Sequence, residues 1–158
     1  MDAFGKIVEI IISVILLFIA PVFIVAGIKD ISNQIYVNTQ TVLFVDTIRN
    51  QGYIDKELYE SYLNGLSATG NVYDINMIHS GQMYGDDYEK YYIDFFSDEI
   101  LTHIKTGKYK MCMGDLFLVE LKQKNDSLFD KMFSIVIGDS SEENSVLSYG
   151  GIVRDETY

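Results

Sequence analysis

The hydrophobic pattern of the chain divides it into two unequal parts. From Ile7 to Ile28 the sequence is almost continuously apolar, IVEIIISVILLFIAPVFIVAGI, and from Ile10 to Ile28 it carries no charge. At about 1.5 Å per residue, this uncharged run makes roughly 28 Å of helix, close to the ~30 Å of a bilayer hydrocarbon core. The pattern then becomes one-sided. Ile31, Ile35, Val42, Val45 and Ile48 recur at three- and four-residue steps, with a longer gap at Asn38. Asn33, Gln34, Gln40, Asp46 and Arg49 fall largely on the opposite side, which is the pattern of an amphipathic helix. No glycine or proline intervenes before Gly52, a helix stop signal. The pattern therefore predicts one continuous helix over residues 1–52. Its apolar, membrane-spanning half covers 6–28, and the half over 29–52 packs on a soluble head at 53–158.

Shorter periods follow. DKELYESYLNGLSATG predicts a second helix with Asp55 as N-cap, a stripe of Leu58, Tyr62 and Leu66, and Gly70 as its end. VYDINMIH alternates, with Tyr73, Ile75 and Met77 on one face, and reads as a half-buried strand. SGQMYGDDYEKYY reads as an irregular, tyrosine-rich loop. Ser97-Asp98-Glu99 opens a short helix with Ile100, Leu101 and Ile104, closed by Gly107. MCMGDLFLVELKQK predicts a strand bent at Gly114, with Phe117, Val119 and Leu121 facing opposite to Leu116 and Leu118. Asn125-Asp126-Ser127 caps another helix carrying Leu128, Met132, Phe133 and Val136. NSVLSYGGIVRDETY predicts a last strand interrupted at Gly150-Gly151. The fold class is α+β: a long N-terminal helix packed against a small antiparallel sheet with short helices.

Charge narrows the partners. Asp2, Lys6, Glu9, Lys29 and Asp30 nearly cancel, so almost all of the net −11 belongs to the head. Such a surface repels phosphate backbones and argues against nucleic-acid binding or docking on anionic lipid through a basic patch. The uncharged run is longer than a signal-peptide core of about 7–15 residues. The nearest cleavage candidates, Ala20-Pro21-Val22 and Ala26-Gly27-Ile28, are poor, so a retained anchor is expected. Lys6 and the α-amino group weakly favour an N-inside orientation with the head outside the cytoplasm.

Recognisable catalytic or cofactor chemistry is absent from the sequence. The histidines, His79 and His103, lack an interpretable spacing to Asp, Glu or Cys and read as surface or loop residues. Cys112, between Met111 and Met113, reads as a buried small hydrophobe; as the single cysteine, it excludes an internal disulfide. No phosphate-binding glycine motif or nucleophile elbow occurs. Gly85, Asp86, Asp87, Glu89, Asp94, Asp98 and Glu99 cluster in sequence, but without the spacing of a helix–loop–helix calcium site. They read as a solvated acidic loop. The expectation is no enzyme activity, no cofactor and no metal.

Glu9 and Pro21 stand out within the apolar run. An ionisable group in a span is a functional signal. Glu9 either reaches the interface with its charge hydrated or meets a cation such as the α-amino group of a neighbouring chain. Pro21 leaves the Leu17 carbonyl without its usual donor. It is either a tolerated span proline or a local loosening that lets helices pack together.

The glutamate near the start of a long apolar run, the mid-run proline, the amphipathic continuation and the small α+β head together resemble the type IV pilin superfamily. The start FGKIVEI and Pro21 are most similar to TadE-like minor pilins of Flp/Tad systems. FVDTIRNQGYID, the Leu66–Ile75 segment LSATGNVYDI, Gly114-Asp115 and SYGGIVRD resemble membrane-anchored proteins of pilus-type machinery in Gram-positive bacteria. The resemblance implies a structural or assembly subunit of a cell-surface filament. Its partners would be copies of itself or other pilin-like subunits, membrane lipid before assembly, and the pilus assembly machinery. It implies an assembly role for Glu9 and Pro21 and a processing site between Gly5 and Lys6. Cleavage there would make Lys6 the new N-terminus, where pilins usually carry Phe or Met, and Glu9 the fourth residue rather than the fifth. The alternative is a single-pass membrane protein whose acidic head, outside the cytoplasm, binds a partner without polymerising.

Overall fold

The computed structural model describes residues 3–84, 89–138 and 146–154. In chain order the elements are α1 (Ala3–Gln51), β1 (Tyr53–Ile54), α2 (Lys56–Ser67), β2 (Tyr73–Tyr84), β3 (Lys90–Phe96), α3 (Ser97–Thr106), β4 (Tyr109–Lys110), β5 (Leu116–Gln123), α4 (Leu128–Ile137) and β6 (Val146–Ile152). The fold is α+β, with the long helix packed against a small antiparallel sheet, as the periodicity predicts. Two compact units are present: Met1–Gln34 with Asp126–Glu142, and Ile35–Asn125 with Glu143–Tyr158.

In the larger unit a four-stranded antiparallel sheet has the order β3-β2-β5-β6, and β1 and β4 form a separate two-residue pair. The core face of the sheet follows strand alternation. Met77 pairs with Val119, and Ile75 with Leu121, so one face collects Met77, Phe117, Val119 and Leu121, all buried. The final turns of α1 cover this face through Val37, Thr41, Phe44, Val45 and Ile48, spaced so that they share one side of the helix. The stripe differs from the sequence reading: Ile31 and Ile35 are exposed, whereas Val37, Phe44 and the polar Thr41 are buried. Thr41 is tolerated because its hydroxyl bonds the Val37 carbonyl at 2.8 Å and the Tyr62 hydroxyl at 2.9 Å. Phe44 stacks on Tyr62 with ring centroids 4.2 Å apart. α2 approaches α1 closely enough at Gly65 that a Cβ there would lie 3.0 Å from the Gln40 amide oxygen.

Local signals end and start the elements. Gly52, at φ 71°, terminates α1, with its N–H on the Ile48 carbonyl at 2.8 Å. Asp55 caps α2 by accepting from the Leu58 N–H at 3.0 Å. Ser127 and Asp130 form a reciprocal capping box on α4.

Three expectations need correction. The segment read as a loop after His79 is a hairpin: β2 runs on to Tyr84 and pairs with β3 from Ile78↔Phe96 to Tyr84↔Lys90. Backbone pairing is indifferent to the polar side chains there, and Ser80 uses its hydroxyl to bond Asp94 across the hairpin. The strand predicted from Met111 begins only at Leu116, because Gly114 at φ 97° closes a tight turn before it. The last strand is not interrupted at its glycines: Gly150 pairs with Leu118 and Gly151 with Phe117.

Those glycines are required by close approach. A Cβ on Gly150 would lie 2.5 Å from the Phe117 carbonyl oxygen, and one on Gly151 would lie 2.7 Å from the Arg49 guanidinium carbon. Gly150→Ala is expected to cost about 1–3 kcal/mol, the usual range for overpacking. Urea denaturation of the detergent-solubilised chain followed by circular dichroism measures it; an unchanged midpoint would refute the steric account.

Candidate functional site: the apolar helix and a buried histidine network

α1 is long and apolar enough to cross a membrane. Its N-terminal half leaves its large side chains open: Phe4, Ile7, Ile11, Leu17, Phe18 and Ile28 are all exposed. The residues singled out in sequence lie along this half. Gly5 and Lys6 are exposed in the first turns, and a Cβ on Gly5 would meet nothing within 4 Å. Glu9 is exposed, and its backbone carbonyl accepts the Ser13 hydroxyl at 2.8 Å. Pro21 lies inside the helix, which continues through it. Glu9 and Pro21 are not brought together, being separated by twelve residues, or about 18 Å of helix.

The second cluster was missed in the sequence. His79 was expected on the surface or in a loop, yet it is buried in β2 on the core face. There the sheet places Gly151, Phe117, His79 and Phe95 in one cross-strand row. The His79 ring stacks on Phe95 with centroids 5.4 Å apart. Its Nε2 lies 2.9 Å from Asp115 Oδ2, and its Nδ1 lies 2.7 Å from the Tyr109 hydroxyl. A carboxylate only accepts, so Nε2 carries a proton toward Asp115, and Nδ1 shares the second hydrogen bond with the Tyr109 hydroxyl.

Asp115, also buried, sits just after Gly114 and has both oxygens committed. Oδ1 accepts the Gln82 N–H at 2.8 Å, and Oδ2 accepts the Cys112 N–H at 2.6 Å as well as His79. Burial pushes its pKa up, but the Gln82 and Cys112 amides and His79 together outweigh burial and hold it below the ordinary carboxylate value. Burial first, then the Glu99 and Asp115 charges, push the Tyr109 phenol up to about 12.

Every polar group of this network is occupied by another member of the protein, which is the arrangement of a structural clasp between β2, β4 and the turn before β5. Cys112 corrects a second expectation: it is exposed rather than a buried hydrophobe, because the turn uses its backbone and leaves its side chain outside. His103 is exposed on α3, as expected. Of the acidic cluster, Gly85, Asp86 and Asp87 lie outside the described residues. Among the described residues, no group of three or more His, Cys, Asp or Glu side chains is placed to hold a metal ion.

The closing segment Tyr149–Arg154 is held by α1. Asp46 and Arg49 pair at 2.7 Å, Arg49 Nε donates to the Ile152 carbonyl at 3.0 Å, and the Arg154 N–H donates to the Arg49 carbonyl at 2.7 Å. Tyr149 adds its hydroxyl to the Asp46 carboxylate at 3.4 Å.

No protein-family model matches the chain, and comparisons with curated proteins and with solved structures return no match. The functional reading therefore rests on geometry and on the sequence patterns above.

Asp115→Asn replaces an acceptor oxygen with a donor facing N–H groups, and a loss of about 3 kcal/mol is expected. Asp115 contributes stability that is present above the ordinary aspartate pKa of about 3.9 and is lost as pH falls through its lower folded value. Acid titration of the wild type should therefore show a destabilisation below about pH 4 that the Asn variant lacks. Superimposable acid-unfolding curves would overturn this assignment.

Proposed function

We propose that the chain is a structural or assembly subunit of a type IV pilus-like extracellular filament. In this reading the N-terminal half of α1 resides in the membrane before assembly and packs among like helices afterwards, and the acidic head lies outside the cytoplasm. The observation that carries the reading is the continuity of α1. One helix runs from residues with openly exposed apolar side chains to residues that form the head's own core. A simple tether needs no such continuity; a flexible linker after Lys29 would serve it equally well. An all-round apolar helix calls for apolar surroundings on every side, which lipid and neighbouring helices both supply.

Glu9 is the expected register residue, pairing with the α-amino group of a neighbouring subunit. Pro21 removes one backbone hydrogen bond at mid-span and eases close packing. The exposure of Gly5 and Lys6 is compatible with processing between them. The second reading, a single-pass protein whose head binds a partner without polymerising, is favoured by α4. That helix packs on the C-terminal part of the apolar run, where it occupies surface that neighbouring helices in a filament would need.

Electron microscopy of sheared surface material, with mass spectrometry of this chain's N-terminus, separates the two. Filaments containing the chain, starting at Met1 or Lys6, are expected; recovery solely as a detergent-extracted monomer would exclude the filament reading. Glu9→Ala is expected to reduce incorporation several-fold while leaving membrane insertion intact, as measured by immunoblotting the sheared and membrane fractions. Normal incorporation would assign Glu9 to the hydrated interface instead.

A further inference from the structure

α4 has more apolar surface than its contacts use. At about 100° per residue, Ile135, Leu128, Met132, Phe129 and Phe133 succeed one another around an arc of about 160°, and Asp130, Ser134 and Lys131 fall outside it. α1 covers only the middle of that arc. Phe129 meets Phe23 edge to face, with centroids 6.2 Å apart, and lies 3.4 Å from where a Cβ on Gly27 would be. The flanks stay open: Ile135 is 83% exposed, Leu128 57% and Phe133 39%.

The position of α4 along α1 says what covers these flanks. Ser127 at its N-cap lies beside Asp30, and Phe129 reaches Gly27 and Phe23. Ile28 is the last residue of the uncharged run. Both contacts therefore fall within two turns of the level at which α1 ceases to be apolar. Three open side chains offer far less than the ~800 Å² per partner of a stable protein interface. They suit the shallow, non-specific contact that an amphipathic helix makes with a bilayer surface.

We propose that α4 is an interfacial helix lying on the phospholipid bilayer where α1 emerges from it. Leu128 and Ile135 enter the boundary between headgroups and acyl chains, and Asp130 and Lys131 face water. Lys131 lies next to the apolar flank, where its stem can follow the lipid surface while its charge stays hydrated. The inference rests on the membrane-anchor part of the reading above and is independent of polymerisation.

The chain contains no tryptophan, so a single introduced one is a clean probe of lipid contact. The full chain, one copy per phosphatidylcholine nanodisc, would carry Ile135→Trp, Leu128→Trp, Phe18→Trp in mid-span, or Val72→Trp in the head. Brominated lipid is expected to quench Phe18→Trp, Ile135→Trp and Leu128→Trp at least twofold and to leave Val72→Trp unchanged. All four sites are exposed, and doxyl-lipid broadening of α4 amide resonances in the unsubstituted chain gives a second readout free of substitution. Quenching at position 18 with none at 128 or 135, and no amide broadening, would overturn the interfacial helix while leaving the anchor standing. No quenching at position 18 either would remove the anchor, and this inference with it.

Discussion

The burial of one face of residues 37–48 against a sheet is the constraint on which the head depends. Val45 and Ile48 are fully buried there, and each such side chain is worth about 1.5–3 kcal/mol when removed from water. A sheet with one apolar face cannot stand alone, and α1 supplies its cover. The same helix must also begin with some twenty residues that are apolar on every side. A single stretch of backbone thus carries two patterns, all-round and one-sided, and the change between them marks where an exposed apolar run gives way to the protein's own core.

Around that cover the head is held by polar contacts over long sequence separations. Asp46 and Arg49 reach from the end of α1 to Tyr149 and the Ile152 carbonyl, with Gly151 bare so that the guanidinium can lie against it. Further along the same cross-strand row, His79 links Tyr109 to Asp115. The segments Asp46–Arg49, Gly114-Asp115 and Tyr149–Arg154 contribute to these clasps. Their residue types are explained by packing and hydrogen bonding within the head, whatever the chain assembles with.

Much of this was legible because it is local. The caps at Asp55 and Ser127, the stop at Gly52, and the alternation that buries Phe117, Val119 and Leu121 each follow from neighbours a few residues away. Most of the misreadings were non-local. Ser80, Gln82 and their neighbours read as loop because strand pairing uses backbone groups that the side chains do not advertise. Thr41 was passed over for the core because its partner, Tyr62, lies on another helix. His79 read as a surface residue, although it continues the face of Tyr73, Ile75 and Met77 and could have been placed by extending that alternation.

By itself, the sequence determined the long helix, its change from all-round to one-sided hydrophobicity, the α+β class and the positions of most element ends. These depend on periodicity and on single-residue backbone preferences. Only the tertiary structure decided that Asp115, His79 and Tyr109 meet, that Arg49 closes over Gly151, and that α4 lies against Phe23 and Gly27. The physical reason is common to all three. A buried polar group is permitted only by its partner, and an apolar face is defined only by what covers it; in a folded chain both come from distant sequence.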